Sequence, residues 1–287
     1  MTNPNTTHIL YRQAQFPIFQ NRMYDSKTEA INCLRGDIEL VEDFHSGLVQ
    51  NAVFQPELMI YDAYYQNEQA TSTLFQAHLE EISDLIQLTM GCEKLVEVGC
   101  GKGYFLEKLL DQGVDVVGFD PTYEGNNPRV TREYFGPDLG MSGKGLILRH
   151  VLEHIFDPVA FLYQLAQANH WQGLVYIEVP CFDWICDNCA WFDVFYEHVN
   201  YFRLTDFKRM FGRIVYADRV FGGQYLAIVA DLATLRDPLI DNDDRVSFPN
   251  NFRITISTEA QSNKTVVWGG ASKGVIFSLL CERAGFP

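Results

Sequence analysis

The stretch Leu95-Val96-Glu97-Val98-Gly99-Cys100-Gly101-Lys102-Gly103-Tyr104-Phe105 decides the fold of this chain. Its first four residues predict a short buried strand, and its three glycines allow a tight turn because they carry no side chain. Residues 105–110 predict a helix, and the next apolar run, 114–119, ends on Asp120. A strand, a glycine loop, a helix and a second strand ending in a carboxylate are typical of one half of a doubly wound nucleotide site.

The spacing of the glycines indicates which nucleotide the loop would bind. Dinucleotide enzymes use G-x-G-x-x-G, whereas this loop reads G-x-G-x-G with Glu97 two residues before it. A carboxylate at Glu97 suits a ligand with an ammonium group, and a carboxylate at Asp120 can accept hydrogen bonds from both hydroxyls of a ribose. S-adenosylmethionine carries both groups. The candidate cofactor ligands are therefore Glu97, Gly99, Gly101, Gly103 and Asp120. The alternative is an ordinary strand-turn-helix rich in glycine.

The composition limits the classes of function. The 287 residues are 47% hydrophobic, which allows a sizeable core, and no apolar run approaches the length of a membrane span. The chain has 22 basic and 37 acidic residues, a net charge of −15, which argues against nucleic acid and anionic membranes as partners. Seven irregularly spaced cysteines do not resemble a disulfide framework. These features predict a cytoplasmic protein with a small-molecule substrate, and they leave the oligomeric state open.

Strands that alternate with helices predict the rest of the central region. Apolar runs predict three more strands and a helix, at residues 129–135, 144–150, 173–179 and 158–168. This alternation favours a mostly parallel α/β sheet that is covered on both faces. A helix is expected over 204–211, and two last strands, 214–218 and 225–230, are expected to pair as a hairpin at the sheet edge.

The two ends of the chain differ from this region. Residues 1–75 are predicted to be irregular, with short strands at 37–41 and 47–49, and a helix is predicted to begin near Thr71 or Ser72. The apolar face of that helix comprises Leu74, Phe75, Leu79, Ile82, Leu85 and Ile86.

The C-terminal end is expected to be partial. A helix is predicted at about 252–263, followed by a strand and glycine turn over 265–274 and a helix over 275–281. One strand-helix unit cannot bury its own faces, so we expect a shortened C-terminal domain. The sequence therefore predicts three parts: 1–75, 76–232 and 233–287.

Three motifs together resemble those of class I S-adenosylmethionine-dependent methyltransferases. They are the glycine loop with Asp120, the run His150-Val151-Leu152-Glu153-His154-Ile155 after the fourth strand, and Tyr196-Glu197-His198 after the fifth. Within that class the chain resembles the three-domain sugar C-methyltransferases of deoxysugar biosynthesis. The resemblance extends to Pro17–Asn21, Tyr61–Ser72 and Trp268–Gly274. It implies a Rossmann-like sheet, a transferase of class EC 2.1.1 and S-adenosylhomocysteine as a product.

The resemblance implies further cofactor contacts. Pro121 follows Asp120, and His150 and Leu152 occupy the place where class I enzymes pass the fourth strand beside the methionine part of the cofactor. Linker residues that fold over the cofactor in the family are matched by Tyr61, Tyr65 and Gln69. A structural role for His150 and a tyrosine-rich surface loop for the linker are the alternatives.

Tyr196, Glu197 and His198 are the candidate catalytic residues. Methylation of a carbon beside a ketone requires removal of a proton, and the resulting enolate is a carbon nucleophile for the positive sulfonium. Histidine has the intrinsic pKa for such a base. Glu197 would orient His198 or the substrate, and Tyr196 would donate to the developing enolate oxygen.

The resemblance also suggests secondary site residues. His154 resembles a second active-site histidine of the family. Glu178, Pro180 and Gln224 are candidate substrate ligands, since the fifth strand ends at the carboxyl edge of the sheet, where ligands bind in such folds. The alternatives are a hydrogen-bonded core histidine and a strand-capping glutamate.

The N-terminal region departs from the family pattern. The family binds zinc there through four cysteines, whereas this chain has Tyr11–Ala14 and Asp43–Ser46 at those places and only Cys33 nearby. Structural zinc is therefore expected to be absent. Cys181, Cys186 and Cys189 form C-x4-C-x2-C, but one close pair without a second is weak support for a metal, and buried thiols are favoured.

The sequence leaves three functional hypotheses. The first is C-methylation of a nucleotide-linked keto-deoxysugar with His198 as the base. The second is O- or N-methylation of another small polar metabolite. The third is a degenerate, non-catalytic binding protein, which the missing zinc ligands and the shortened C-terminal domain would support.

Overall fold

The computed structural model describes residues 6–19, 21–60, 72–253, 266–267 and 272–286. The described strands are β1 (Thr7–Pro17), β2 (Arg35–Asp43), β3 (Val49–Asn51), β4 (Leu95–Val98), β5 (Val116–Phe119), β6 (Val130–Thr131), β7 (Gly145–Arg149), β8 (Leu174–Pro180), β9 (Asn200–Tyr201), β10 (Ile214–Val220) and β11 (Tyr225–Asp231). The described helices are α1 (Lys27–Ile31), α2 (Thr73–Met90), α3 (Tyr104–Asp111), α4 (Pro158–Ala168), α5 (Phe182–Asp187), α6 (Leu204–Met210) and α7 (Ser272–Arg283).

The chain folds into two compact units. Unit 1 takes the described residues of Met1–Asn67, Phe182–Tyr201 and Ile240–Pro287, and unit 2 takes those of Glu68–Cys181 and Phe202–Leu239. The sequence-based division into 1–75, 76–232 and 233–287 remains a prediction about the domains of the chain.

Unit 2 contains a seven-stranded sheet in the order β10-β11-β8-β7-β4-β5-β6. The five strands from β8 to β6 pair in parallel, and β11 is antiparallel to both of its neighbours. This strand order is that of the predicted Rossmann-like sheet. The hairpin of β10 and β11 closes the sheet edge, also as predicted. All four residues of β4 are buried, because a central parallel strand is covered on both faces.

Helix α2 begins one residue after Ser72, whose hydroxyl accepts a hydrogen bond from the backbone amide of Phe75. The predicted cap is therefore confirmed. The predicted apolar face needs two corrections, since Leu74 is 68% exposed and His78 is buried beside Phe75 and Leu79.

The third predicted strand is shorter than the sequence indicated. Only Val130–Thr131 pair with β5, opposite Gly118 and Phe119. Phe135 instead packs its ring 5.2 Å from that of Phe119 in the core.

Unit 1 is built on a four-stranded antiparallel sheet in the order β1-β2-β3-β9. The prediction of an irregular N-terminal segment is therefore wrong. Strand β1 spans eleven residues but carries register shifts between Ile9 and Tyr11 and between Gln13 and Phe16. These bulges break the alternation of apolar and polar residues by which a strand is recognised in a sequence.

The core of unit 1 joins distant segments of the chain. Phe16 and Ile18 pack in one cluster with Trp191 and Tyr196 from the middle of the chain and with Ile276 from α7. Helix α7 contains the predicted helix 275–281. The predicted helix over 252–263 and the strand over 265–274 fall largely outside the described residues.

Neither a long apolar helix nor a disulfide occurs in the described parts of the chain. No helix among these residues is long and apolar enough to cross a membrane. All seven cysteines lie within the described ranges, and none of them forms a disulfide.

Candidate active site

The candidate site of unit 2 lies where the parallel strands β4, β5, β7 and β8 end. Their carboxyl ends share one edge of the sheet because the strands run in the same direction. The glycine loop follows β4, Asp120 follows β5, and His150 follows β7.

The glycine loop requires its glycines. Gly99, Gly101 and Gly103 have φ of 74°, 54° and 80°, the left-handed region that disfavours residues with a β-carbon. Gly103 is the N-cap of α3, so the helix begins directly after the loop. A β-carbon added at Gly101 would meet no atom within 4 Å. The loop therefore leaves open space where a ligand can approach the backbone.

Glu97 is a buried carboxylate near the end of β4. It is 3% exposed, and its Oε2 has no hydrogen-bond partner among the described residues. Burial raises the pKa of Glu97 to about 8, the charge of Arg149 acts in the opposite direction, and Asp120 adds to the rise. A buried acceptor without a donor carries a free-energy cost, which a ligand's ammonium group would remove.

Asp120 is oriented by its own loop. Its Oδ2 accepts a hydrogen bond from the backbone amide of Gly101 at 2.8 Å, and its Oδ1 accepts from the amide and hydroxyl of Thr122 at 2.8 and 2.7 Å. Because each carboxylate oxygen has two lone pairs, Oδ2 can still accept from a ribose hydroxyl. Pro121 is exposed beside it.

These residues fit S-adenosylmethionine. The unpartnered oxygen of Glu97 suits the ammonium, the open backbone at Gly101 suits close approach of the ligand, and Asp120 suits the ribose. The fit rests on the orphaned acceptor and on the space above the loop.

Several buried polar and charged side chains meet near the ends of β7 and β8. We call them the Glu178 cluster, which comprises Glu178 and Tyr176 on β8, Arg149 and His150 at the end of β7, and His78 on α2. Around the fully buried Glu178 carboxylate lie His78 Nε2 at 3.1 Å, Arg149 Nη2 at 3.1 Å, His150 Nε2 at 3.0 Å and the Tyr176 hydroxyl at 2.6 Å. Burial opposes ionisation of Glu178, but Arg149, His150 and His78 outweigh it and hold its pKa well below the usual range.

The Glu178 cluster adds residues that the sequence analysis missed. Glu178 has no exposed surface and its oxygens already accept hydrogen bonds, which favours a structural role, and its assignment as a substrate ligand stays a prediction. The sequence did not predict the roles of His78 and Arg149, because their partner Glu178 is distant in the sequence. The position of His78 on the apolar face of α2 was a local signal that could have indicated a buried polar contact.

His150 and the residues after it form a turn. His150 has φ of 52° and a side chain that is 14% exposed. Burial opposes its charged form, but the neighbouring carboxylates of Glu153 and Glu178 raise the pKa of His150 to about 9. Leu152 is fully buried, and His154 is partly exposed at the end of a short 3-10 turn.

The candidate catalytic residues Tyr196, Glu197 and His198 belong to unit 1. Tyr196 is fully buried, and its hydroxyl accepts a hydrogen bond from the backbone amide of Gln55 at 3.0 Å. Glu197 is 3% exposed, whereas His198 is partly exposed with its ring 4.9 Å from that of Phe195. The position of Tyr196 is that of a core residue, and His198 is the member of the motif with access to solvent.

The remaining predicted residues divide into two groups. Pro180 and Gln224 are partly buried in unit 2, where the backbone carbonyl of Gln224 accepts a hydrogen bond from the amide of Cys181. Tyr61, Tyr65 and Gln69 lie outside the described residues.

Cys100 lies within the glycine loop and is 8% exposed. A β-carbon added at Gly118 would lie 2.8 Å from its sulfur, so the thiol fills the space that this glycine leaves. Burial raises the pKa of Cys100, and Glu97 and Asp120 act in the same direction.

The family is shown by sequence comparison. A model of the methyltransferase domain family matches residues 61–214, more than half of the chain. The chain belongs to this family, and it is an S-adenosylmethionine-dependent methyltransferase. A search of curated proteins gave no match.

Several solved structures are similar to the chain at low identity. The 1,6-didemethyltoxoflavin-N1-methyltransferase of Burkholderia thailandensis is 12% identical, with a TM-score of 0.42, over 73% of this chain and 98% of that one. The magnesium protoporphyrin IX methyltransferase of Synechocystis is 15% identical, with a TM-score of 0.42, over 58% and 90%. A methyltransferase of Archaeoglobus fulgidus is 17% identical, with a TM-score of 0.38, over 55% and 99%.

Proposed function

We propose that this methyltransferase acts at carbon on a nucleotide-linked keto-deoxysugar. The observation that carries the proposal is the motif Tyr196-Glu197-His198, in which a partly exposed imidazole follows a buried carboxylate. The resemblance of this motif to that of the sugar C-methyltransferases supports the acceptor class. The net charge of −15 also favours a small-molecule acceptor over a nucleic acid.

Each residue has a distinct role in this proposal. S-adenosylmethionine supplies a methyl group on a positive sulfonium. Glu97 binds the ammonium, Asp120 binds the ribose, and the glycine loop holds the cofactor against the backbone. His198 removes the proton from the carbon beside the ketone, and Glu197 keeps the imidazole or the substrate hydroxyls in place. His154 is the second histidine that we propose to contact the acceptor.

The role of His198 is tested by the His198→Ala variant. We expect turnover of the sugar to fall by about 10²-fold or more, since general base catalysis is worth that much. Binding of S-adenosylhomocysteine, measured by calorimetry, should not change. His45→Ala is the control, because His45 is exposed in the same unit. Loss of cofactor binding in His198→Ala would contradict the assignment.

The atom that is methylated is tested by isotope exchange. The protein is incubated in D₂O with nucleoside-diphosphate keto-deoxysugars and without a methyl donor, and exchange is followed by proton NMR. Exchange at the carbon beside the ketone, absent in His198→Ala, supports methylation at carbon. Methyl transfer to an oxygen or nitrogen without exchange would favour O- or N-methylation.

A further inference from the structure

The first observation is that both ring nitrogens of His150 lie beside buried carboxylates. Nδ1 is hydrogen-bonded to Glu153 Oε1 at 3.3 Å, and Nε2 lies at the ion-pair distance of 3.0 Å from Glu178 Oε1, without the geometry of a hydrogen bond. The ring of Tyr225 packs edge-on against the imidazole at 4.7 Å. The side chain of His150 is therefore fixed on three sides.

The second observation is that the backbone of His150 is strained. Its φ of 52° places a residue with a β-carbon in the left-handed region, which persists only where surrounding contacts enforce it. The backbone amide of His150 donates to the backbone carbonyl of Glu178 at 2.9 Å. Glu178 therefore contacts both the backbone and the side chain of His150.

The third observation connects this turn to the glycine loop. A β-carbon added at Gly99 would lie 2.6 Å from Cγ2 of Val151, so the residue after His150 packs directly on the loop. Gly99 follows Glu97 by two residues, which places this contact at the Glu97 end of the loop. A change in the turn would therefore shift the part of the loop beside the unpartnered carboxylate.

We propose that Glu178 is a positioning residue for the cofactor loop, acting through His150 and Val151. Glu178 does not touch the ligand; it fixes the turn after β7, and the turn sets the backbone of Gly99. The proposal concerns cofactor binding alone, so it is independent of the identity of the acceptor.

The contacts of Glu178 with basic side chains explain why a charged residue is buried at position 178. Arg149 stacks its guanidinium over the ring of Phe105 at 4.4 Å, and Phe105 lies in the first turn of α3, directly after the loop. Glu178 binds this arginine as well as His150. One carboxylate thus contacts both the turn that packs on the loop and the arginine that packs on the helix following it.

The test compares two ligands on purified variants of the full chain. S-adenosylhomocysteine has the ammonium end that Glu97 would bind, whereas 5′-methylthioadenosine lacks it. We expect Glu178→Gln and His150→Asn to lower the affinity for S-adenosylhomocysteine by about tenfold or more, because misplaced binding groups cost that much. The affinity for 5′-methylthioadenosine should change much less. Asparagine suits the second variant, because it tolerates left-handed backbone but is too short to bridge two carboxylates.

Two further variants keep the test decisive if Glu178→Gln does not fold. Val151→Ala removes the contact with Gly99 and leaves the Glu178 cluster intact, so it should show the same selective loss in part. His170→Asn is the matched control, since His170 is also left-handed, at φ of 56°, but is exposed. Unchanged S-adenosylhomocysteine affinity in folded His150→Asn would overturn the proposal. Equal loss of both ligands would overturn it as well, since that would indicate general destabilisation.

Discussion

At the scale of single residues, Glu97 lowers the stability of the folded protein and, in our proposal, contributes to the affinity for the cofactor. Its Oε2 is buried without a partner, and burial raises its pKa to about 8. The folded protein without ligand therefore holds a proton on Glu97 at neutral pH, whereas a carboxyl in the unfolded chain would have lost it. A bound ammonium group would favour the ionised form and release that proton.

We predict that Glu97→Gln stabilises the protein without ligand and weakens the binding of S-adenosylhomocysteine. Between the ordinary pKa of a glutamate and about 8, Glu97 holds more of a proton in the folded state than in the unfolded state, so its contribution to wild-type stability falls as pH rises. The free energy of unfolding contributed by Glu97 changes by at most about 1.4 kcal/mol per pH unit, and a glutamine, which does not titrate, removes this contribution. Melting temperatures measured from pH 5 to 8 should show a gap between variant and wild type that widens with pH. A constant gap would contradict the buried, protonated carboxyl.

The residues of the site differ in how far the sequence could predict them. Glu97 and the glycines are separated by a few positions, so their spacing alone indicated a ligand with an ammonium group. His78 and Glu178 are 100 positions apart, and only the folded sheet brings them to 3.1 Å. No local pattern distinguishes such a histidine from an isolated polar residue on an apolar face. For the same reason the sequence could not indicate that the Glu178 carboxylate is buried among hydrogen-bond donors.

At the scale of elements, the turn between β4 and α3 depends on backbone conformation. We predict that Gly101→Ala loses affinity for S-adenosylhomocysteine, because its β-carbon would project into the open space above the loop. Gly113→Ala is the matched control, since Gly113 is also left-handed, at φ of 82°, and open to solvent. Both variants should lose about 1 kcal/mol of stability from backbone strain. Calorimetry should find lost binding in the first alone, and equal binding in both would exclude the loop as the cofactor site.

The elements were predictable where their hydrophobic pattern is regular. Strand β4 and helix α4 occupy the predicted residues, because an uninterrupted apolar run and a proline at the start of a helix are local signals. Strand β1 was missed because its two bulges shift the side chains that face the core. The strand predicted over 129–135 reduces to two residues, since only Val130–Thr131 find a pairing partner in β5.

At the scale of the whole molecule, unit 2 is interrupted once. The chain leaves it after Cys181 and returns at Phe202, and these two residues form a parallel β-bridge. The points of exit and return are therefore adjacent. The segment between them, which includes His198, belongs to unit 1.

This arrangement predicts that cofactor binding and catalysis can be separated. A chain of residues 61–239 in which a flexible Gly-Ser linker replaces residues 182–201 should fold and bind S-adenosylhomocysteine, because every described residue that we propose to bind the cofactor belongs to unit 2. It should not turn over any acceptor, since it lacks the proposed base His198. Calorimetry and circular dichroism test the first expectation. A folded chain without affinity would show that residues outside unit 2 contribute to the cofactor site.

The burial of Cys100 inside the glycine loop gives the protein an internal chemical reporter. An alkylating reagent can reach this sulfur only when the loop opens, and burial further suppresses the reactive thiolate. Cys92, an exposed thiol in the same unit, reacts without such an opening. The ratio of the two labelling rates therefore measures how often the loop opens. Saturation with S-adenosylhomocysteine should slow the labelling of Cys100 alone, so the kinetics of a single thiol would follow the opening of the site in solution.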